Sequence, residues 1–371
     1  MKYYLIAGEA SGDLHGAALM RALKDRDAEA KFRFRGGDRM AAVGGSLFRH
    51  YKDTAVMGLV EVAAKAGRIL ADLRSTGEDV IAYAPDVLIL VDYPGFNLKM
   101  ARFAHKKGMR VYWYIAPKLW ARGEGRIRKL RRYVDELFVI FPFEVEYFRG
   151  LGMEAHYCGN PLLDTVGEPA TETEKIIALL PGSREAELKW LMPRFVEMER
   201  LMASDPRWAD YSLAVAVVPN MTRRDYERWL PQGSRISLYR DGACNLLRRS
   251  AAAVISSGTA SLEAALVGTP QVVCYGFNRI TYMLARMLVK VKYISLANLI
   301  LDKLIFKELI QDESSASLML AELESLVFDE DRRAAMKADY ALLREKMGAP
   351  GAAGRIADKM VGICERDGRA N

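Results

Sequence analysis

The 371 residues include only four cysteines, and no two of them lie close together in the sequence. They are Cys158, Cys244, Cys274 and Cys364, and the absence of any C-x-x-C spacing excludes a disulfide framework and a cysteine zinc site. No apolar run is long enough to span a bilayer. The beginning of the chain also lacks the layout of a signal peptide. We therefore expect reduced thiols and a cytoplasmic protein.

Several motifs of enzyme chemistry are missing as well. H-E-x-x-H, the P-loop, G-x-G-x-x-G and G-x-S-x-G do not occur, which argues against zinc hydrolysis, Walker-type NTP hydrolysis, Rossmann NAD binding and serine hydrolysis. Metal-dependent sugar transferases often use Asp-x-Asp, which occurs here only at 25–27 and 329–331. Both lie in polar stretches and neither follows a buried strand. We therefore predict no metal site and no cofactor.

The charge points to anionic partners. The formal net charge is +7 and the pI is about 9.1, which favours nucleotides, phospholipid head groups or nucleic acid. Six of these cations lie between Arg122 and Arg132. That run lacks the interleaved aromatic residues of a single-strand binder, and a solvated helix face is its commoner outcome. We expect no nucleic-acid partner.

Short apolar runs alternate with helical stretches in both halves of the chain. Val87–Val91 is typical of a buried parallel strand, and similar runs occur at 3–6, 32–35, 111–115, 136–140, 175–180, 212–218, 251–255 and 271–275. Strands that alternate with helices predict right-handed βαβ units. We predict an α/β fold with two Rossmann-like, doubly wound domains that face each other across a cleft. The expected domains are 1–167 and 168–345, joined by a polar linker at 160–173, and 346–371 is expected to be a C-terminal helix that packs back on the first domain.

A Gly-rich turn follows the first strand. It reads GEASGDLHG from Gly8 to Gly16 and carries four polar side chains, those of Glu9, Ser11, Asp13 and His15. Open α/β sheets bind ligands at the carboxyl ends of their strands, so these groups could hold sugar hydroxyls or transfer protons. The alternative is a simple helix cap by Ser11 or Asp13. The density of polar groups in one turn favours the functional interpretation.

A second carboxylate follows the most apolar strand. Asp92 begins the segment Asp-Tyr-Pro-Gly-Phe-Asn, and apolar surroundings would raise its pKa and make it a better base. The alternative is that Asp92 caps a helix that begins near Leu98. Pro94 and Gly95 separate the two, so Asn97 is the better candidate for that cap. We predict a role in the cleft for Asp92.

The second half has two turns suited to phosphate. Gly182, Ser183 and Arg184 follow a strand and offer backbone donors and a guanidinium fork, although a capping box ahead of the Leu188 helix is also compatible with them. Another strand is followed by Ser-Ser-Gly-Thr, where an unpaired helix N-terminus suits an anion. This motif is the strongest in the chain, and its predicted diphosphate and ribose contacts are Ser257, Gly258, Thr259 and Glu263.

Together these motifs make the chain resemble the lipid-A-disaccharide synthases, which are inverting glycosyltransferases of the GT-B type. The shared stretches are AGEASGD at 7–13, the glycine pairs at 36–37 and 44–45, MGLVEV at 57–62, DYPGFN at 92–97, PFE at 142–144, LPGSR at 180–184, SSGTASLE at 256–263 and SLAN at 295–298. The combination of AGEASGD, LPGSR and SGTASLE is specific, and the resemblance covers nearly the whole chain.

The resemblance implies a reaction and roles for the residues. UDP-2,3-diacylglucosamine would be joined to 2,3-diacylglucosamine 1-phosphate (lipid X), giving a β-1,6 disaccharide and UDP without a metal. Asp92 would be the base, with Glu9 as the second candidate. Arg184, the Gly258 turn and Asn298 would stabilise the leaving diphosphate, and Glu263 would hold the ribose. The acceptor side would include Ser11, Asp13, His15 and Asn97.

The resemblance also implies partners. Both substrates carry acyl chains, so the protein would be peripheral on the inner membrane, and family members are expected to form homodimers that exchange C-terminal parts. Two alternatives stay open: another GT-B enzyme, such as a UDP-GlcNAc 2-epimerase or a peptidoglycan-type transferase, and a non-catalytic nucleotide- or RNA-binding protein.

Overall fold

The computed structural model describes residues 1–54, 62–256, 258–276 and 292–369, which form two compact units. The first contains the described residues of Met1–Pro161 and Ala349–Asn371, and the second is Leu162–Gly348. Ser257 and most of the MGLVEV stretch lie outside the described residues. Among the helices that the structure describes, none has the length and apolar character needed to cross a membrane.

The first unit is built on seven parallel strands in the order β3-β2-β1-β4-β5-β6-β7. The strands are β1 (Lys2–Ala7), β2 (Lys31–Gly36), β3 (Ser46–His50), β4 (Val87–Val91), β5 (Val111–Tyr114), β6 (Glu136–Val139) and β7 (His156–Tyr157). Apart from the exposed Lys2, the residues of the central strands β1, β4 and β5 are buried, because side chains from both faces of these strands enter a core.

Helices cover both faces of this sheet. They are α1 (Ala10–Arg26), α2 (Asp38–Val43), α3 (Val62–Tyr83), α4 (Pro94–Lys106), α5 (Ile127–Tyr133), α6 (Phe143–Gly150) and, from the end of the chain, α15 (Ala352–Arg369). One core lies under α1 and α15, where Leu19 and Met360 are buried together. The other lies under α3, α4 and α5, around Val80 and Met100.

Arg355 is one of the residues that hold the C-terminal helix to the rest of the first unit. Arg355 donates to the carbonyl of Cys158 at 2.8 Å and to the carbonyls of Ala349 and Pro350 at 2.7 Å each. These bonds tie the Gly348–Gly351 break to the end of β7. Burial of Ile356 and Met360 against α1 then keeps α15 on this sheet.

The second unit has six parallel strands in the order β10-β9-β8-β11-β12-β13. The strands are β8 (Glu174–Leu180), β9 (Ser212–Ala216), β10 (Ser237–Tyr239), β11 (Ser250–Ser256), β12 (Gln271–Tyr275) and β13 (Glu308–Ile310). The helices are α7 (Leu163–Val166), α8 (Glu185–Ala203), α9 (Arg223–Glu227), α10 (Ala243–Arg249), α11 (Thr259–Val267), α12 (Leu296–Leu301), α13 (Ala316–Val327) and α14 (Glu330–Met347). The prediction of two doubly wound α/β domains is confirmed.

Candidate active site

The first candidate site lies where β1 and β4 end side by side in the first unit. Ala7 pairs with Val91, so the turns that follow the two strands leave the same edge of the sheet. Asp92 and Tyr93 both have left-handed backbone, with φ of 46° and 50°. That conformation costs of order 1–3 kcal/mol per residue outside glycine and is found mainly at functional sites.

Neighbouring groups hold this strained turn in place. The N–H of Asp92 donates to the carbonyl of Tyr114 at 2.9 Å, and the Asn97 side chain donates to the carbonyl of Asp92 at 2.7 Å. The Tyr93 ring lies against Gly8, where any Cβ would overlap the ring. The turn therefore depends on a glycine in the neighbouring strand–helix connection.

The electrostatic surroundings of Asp92 suit a base. Burial raises the pKa of Asp92, the nearby Glu9 carboxylate raises it further, and the Lys118 ammonium partly offsets both effects. The raised pKa of Asp92 predicted from the sequence is thereby confirmed. A carboxylate with a raised pKa binds a proton more strongly, so Asp92 is a better general base than an ordinary aspartate.

Lys118 was missed by the sequence analysis. It lies four residues beyond the end of β5, at the edge of the sheet where Asp92 lies, and its Nζ is 5.9 Å from the centre of the Phe141 ring. The available signal was a lone cation just past an apolar strand.

The Gly8–Gly16 segment is mostly helical, because α1 begins at Ala10. Ser11 donates its hydroxyl to the exposed Glu9 carboxylate at 2.6 Å. His15 packs edge-on against the Tyr114 ring, with ring centres 6.5 Å apart. Glu9, Ser11 and Asp92 therefore belong to one edge of the sheet, while His15 lies further along α1.

Two residues predicted on the acceptor side serve the fold instead. The Asp13 carboxylate is buried and accepts from the N–H groups of Gly37, Arg39 and Met40 at 2.7–3.1 Å, so it fixes the turn between β2 and α2. Asn97 is fully buried inside α4. The predicted cap at Asn97 is also wrong, because Pro94 can occupy the first turn of a helix and α4 begins there.

The second candidate site is a pocket of about 340 Å³ in the second unit. It lies at the carboxyl ends of β8, β9 and β11. The predicted phosphate and ribose residues that line it are Gly182, Ser183, Arg184, Gly258, Thr259 and Glu263. Gly258 precedes the first turn of α11, so backbone N–H groups at the start of this helix can meet an anion.

The carboxylate of Glu187, in the first turn of α8, binds the turn that follows Gly182. Glu187 Oε2 accepts from the N–H groups of Ser183 and Arg184 at 2.7 and 3.1 Å, and its Oε1 accepts from Arg184 Nη1 at 2.7 Å. The capping alternative is therefore realised here. The Ser183 N–H, predicted as a phosphate donor, is occupied by Glu187, whereas the Arg184 side chain remains 79% exposed.

Glu263 and Asn298 differ in how open they are to a ligand. Glu263 lines the pocket, and burial raises its pKa. Asn298 does not line it: its amide is buried, donates to the carbonyl of Phe306 and the carboxylate of Glu308, and accepts from the N–H of Ile305. The predicted contact between Asn298 and a diphosphate is therefore wrong, because the side chain already holds the segment that leads to β13.

No group of three or more His, Cys, Asp or Glu residues able to hold a metal ion occurs in the part of the chain that the structure describes.

The chain is similar to known proteins over nearly its whole length. The sequence profile of the lipid-A-disaccharide synthetases matches residues 3–353. The lipid-A-disaccharide synthase of Syntrophus aciditrophicus is 37% identical over 95% of this chain and 95% of its own length. That of Myxococcus xanthus is 36% identical over 96% of both chains.

Solved structures share the fold at much lower identity. A UDP-GlcNAc 2-epimerase from Neisseria meningitidis, solved with UDP-GlcNAc, has a TM-score of 0.63 and 11% identity, and covers 98% of this chain and 100% of its own. The calicheamicin glycosyltransferase CalG4 has a TM-score of 0.62 and 14% identity, and covers 98% of each chain. These likenesses confirm the predicted GT-B fold. The chain belongs to the lipid-A-disaccharide synthase family, the glycosyltransferases of lipid A biosynthesis.

Proposed function

We propose that the protein joins UDP-2,3-diacylglucosamine to lipid X and releases UDP. The acceptor's 6-hydroxyl attacks the anomeric carbon of the donor from the side opposite UDP, which inverts that carbon and forms a β-1,6 disaccharide 1-phosphate. The observation that carries this proposal is the strained, half-buried Asp92 with its raised pKa.

The proton of the attacking hydroxyl goes to Asp92. As the new C–O bond forms, the carboxylate takes the proton and the bond between the anomeric carbon and the diphosphate breaks. A general base contributes typically about 10²- to 10⁴-fold to rate. Glu9 is too exposed for its own carboxylate to be desolvated, so we assign it to raising the pKa of Asp92 and to binding the acceptor with Ser11.

The diphosphate of the leaving UDP is negatively charged, and the pocket in the second unit binds it. We assign the diphosphate to the Arg184 guanidinium and to the N–H groups at the start of α11, and the ribose to Glu263. A guanidinium and oriented N–H groups can stabilise such a charge without a metal. The UDP-GlcNAc carried by the Neisseria meningitidis epimerase supports a nucleotide sugar as the ligand of this fold.

The acyl chains of both substrates place the reaction at a lipid surface. We propose that the protein works on the cytoplasmic side of the inner membrane as a peripheral protein. Exposed Ile69 and Leu70 on α3 support contact with lipid, because they are 40% and 64% exposed. The homodimer with exchanged C-terminal parts stays a prediction.

An assay with purified components tests the proposal. The protein is incubated with UDP-2,3-diacylglucosamine and lipid X in detergent and EDTA, and UDP and disaccharide are measured. We expect both products, and about 10²-fold or greater loss of kcat in Asp92→Asn with unchanged UDP affinity. Asp25→Asn, an exposed aspartate on α1, is the matched control. Ordinary kcat in Asp92→Asn would remove it as the base, and epimerisation of UDP-GlcNAc without disaccharide formation would support the epimerase alternative.

A further inference from the structure

The segment that follows β5 carries a tryptophan, Trp120, that has no role in the mechanism above. The last paired residues of β4, β5 and β6 are neighbours in register, so the segments after these three strands leave the same edge of the sheet. Asp92 begins the first segment, Trp120 lies in the second, and Glu144 lies in the third, in the first turn of α6. Open α/β sheets bind ligands at this edge, so a ligand held at Asp92 can reach the residues after β5.

A hydrogen bond from its indole fixes Trp120. The indole N–H donates to Glu144 Oε1 at 2.9 Å. The other oxygen of the same carboxylate, Oε2, accepts from the N–H groups of Ile140 and Phe141 at 3.1 and 3.0 Å. The two oxygens therefore have separate partners: Oε2 holds the turn ahead of α6, and Oε1 holds the tryptophan.

Glu144 is a buried carboxylate that the proposed reaction does not use. It is 1% exposed, and burial raises its pKa, while the hydrogen bonds from Trp120 and from the backbone of Phe141 and Ile140 partly offset this effect. A buried carboxylate is costly unless hydrogen bonds satisfy it. The backbone satisfies one oxygen and the indole satisfies the other, so the carboxylate fixes Trp120 as well as the turn.

Two phenylalanine rings hold the indole in the same orientation. Phe141 and Phe143 are stacked with their centres 5.8 Å apart, and the Trp120 ring packs against them at 77° and 76°. Trp120 is nevertheless only half-buried. An indole that is fixed by one hydrogen bond and two ring contacts, and that keeps part of its surface open, provides a rigid apolar wall for a ligand.

The segment that carries Trp120 begins with a strained residue. Ile115 has left-handed backbone, with φ of 63°, which is an outlier for a β-branched side chain. Its N–H and that of Ala116 both donate to the carbonyl of Phe138, at 3.0 and 3.3 Å. Asp92 has the same left-handed conformation at the end of the neighbouring strand. Backbone strain of this kind is concentrated at functional sites, so the segment after β5 is a candidate for a functional role.

We propose that Trp120 binds the sugar ring of the acceptor, and that Glu144 is the positioning residue that holds its indole. This inference rests on the proposed function for the identity of the acceptor. The C–H face of a pyranose ring packs on an aromatic face, so a fixed indole sets the orientation of the sugar. A flexible acyl chain would need no such fixed surface. Trp120 thereby turns the acceptor's 6-hydroxyl toward Asp92.

Substitutions of Trp120 test its contact with the sugar. Trp120→Leu should lower kcat/KM for lipid X about 10-fold, the loss of one aromatic contact, with KM for the donor unchanged. Trp120→Phe, which keeps a ring, should recover part of this loss. With 2,3-dibutyrylglucosamine 1-phosphate, an acceptor with short acyl chains, Trp120→Leu should show the same loss because the sugar is unchanged. Trp229→Leu, at a half-buried tryptophan of the second unit, is the matched control.

Glu144→Gln tests the positioning role, because a carboxamide has only one acceptor oxygen. If that oxygen keeps the two backbone N–H groups, the amide NH₂ faces the indole N–H, and the indole loses its acceptor. We expect Glu144→Gln to lower kcat/KM for lipid X about 3- to 10-fold. Added to Trp120→Leu, the same substitution should cause no further loss, because Glu144 acts through Trp120.

Each result has a defined meaning. An unchanged kcat/KM for lipid X in Trp120→Leu would overturn the proposal, and so would a loss confined to the long-chain acceptor, which would assign Trp120 to the acyl chains. Additive losses in the double variant would overturn the positioning role of Glu144. If the wild type forms no disaccharide, the proposed function fails, but calorimetry of the short-chain acceptor with wild type and Trp120→Leu still decides whether Trp120 binds the sugar.

Discussion

The carboxylate of Glu187 accepts a 2.7 Å hydrogen bond from the backbone N–H of Ser183. The same carboxylate also binds the N–H and the guanidinium of Arg184. Gly182, with φ of 103°, makes this approach possible because any Cβ there would overlap Glu187. An internal anion therefore already occupies donors that a diphosphate would use.

Removal of this internal anion should strengthen UDP binding. Glu187→Gln keeps the shape of the side chain and removes a negative charge from the pocket lining. We expect UDP to bind about fivefold more tightly, the equivalent of about 1 kcal/mol for a partly exposed charge pair. Calorimetry measures the affinity. Glu185→Gln removes a charge from the same helical turn outside the pocket and should change the affinity less. Weaker binding in Glu187→Gln would show that the carboxylate supports the phosphate site instead of competing with its ligand.

The pH dependence of the reaction should show how the charged neighbours of Asp92 change the pKa of Asp92. Its base form is needed, so kcat/KM should rise with pH through the raised pKa of Asp92. Glu9→Gln removes a charge that raises this pKa and should move the acidic limb to lower pH. Lys118→Gln removes a charge that lowers the pKa and should move the limb to higher pH.

Full pH–rate profiles of kcat/KM measure both shifts. Glu29 is an exposed carboxylate that lies just before β2, at the amino ends of the strands. Glu29→Gln should therefore leave the acidic limb of the profile in place. Shifts of the two variants in the same direction would exclude Asp92 as the group that titrates.

Gly8 and Tyr93 should be coupled. Gly8→Ala forces a methyl group into the Tyr93 ring and should cost about 1–3 kcal/mol of the free energy of unfolding, as overpacking does. Tyr93→Ala removes the ring, so the double variant should recover most of the stability that Gly8→Ala loses relative to its parent. Denaturant unfolding of the four proteins gives the coupling. Additive effects would contradict the close contact.

Glu263 should lower the free energy of unfolding at pH values at which its carboxylate is charged. Burial raises its pKa in the folded protein, so the folded state binds the proton more tightly than the unfolded state. The free energy of unfolding therefore falls as pH rises from the ordinary pKa of glutamate through the raised value. Glu263→Gln should be more stable than wild type at pH 8, should show a smaller advantage at pH 4, and should bind UDP more weakly.

Urea unfolding at the two pH values checks the stability prediction for Glu263. Glu197→Gln, an exposed glutamate on α8, should show no such dependence. Equal destabilisation of Glu263→Gln at both pH values would mean that the carboxylate is required by the fold.

The strands that the sequence patterns did not predict share one property. The sequence patterns predicted the central strands, such as β4, because strands buried on both faces are continuous apolar runs. The edge strands β3, β7, β10 and β13 were not predicted. They are short or partly exposed, and β3 and β13 include charged residues. Their extended conformation depends on pairing with one neighbour, which no local pattern records.

The amino-acid sequence by itself determined the two parallel α/β units, the Gly-rich turns at the carboxyl ends of their strands, and the family. Local patterns suffice for these features because turns and apolar periodicity depend on residues that are close together in the sequence. Only the tertiary structure decided which polar side chains are buried and hydrogen-bonded inside the protein, as Asp13 and Asn298 are, and which stay exposed, as Glu9 and Arg184 do. The hydrogen-bond partners that make this distinction are not adjacent in the sequence: residues 24 to 27 positions away satisfy Asp13, and residues 7 to 10 positions away satisfy Asn298.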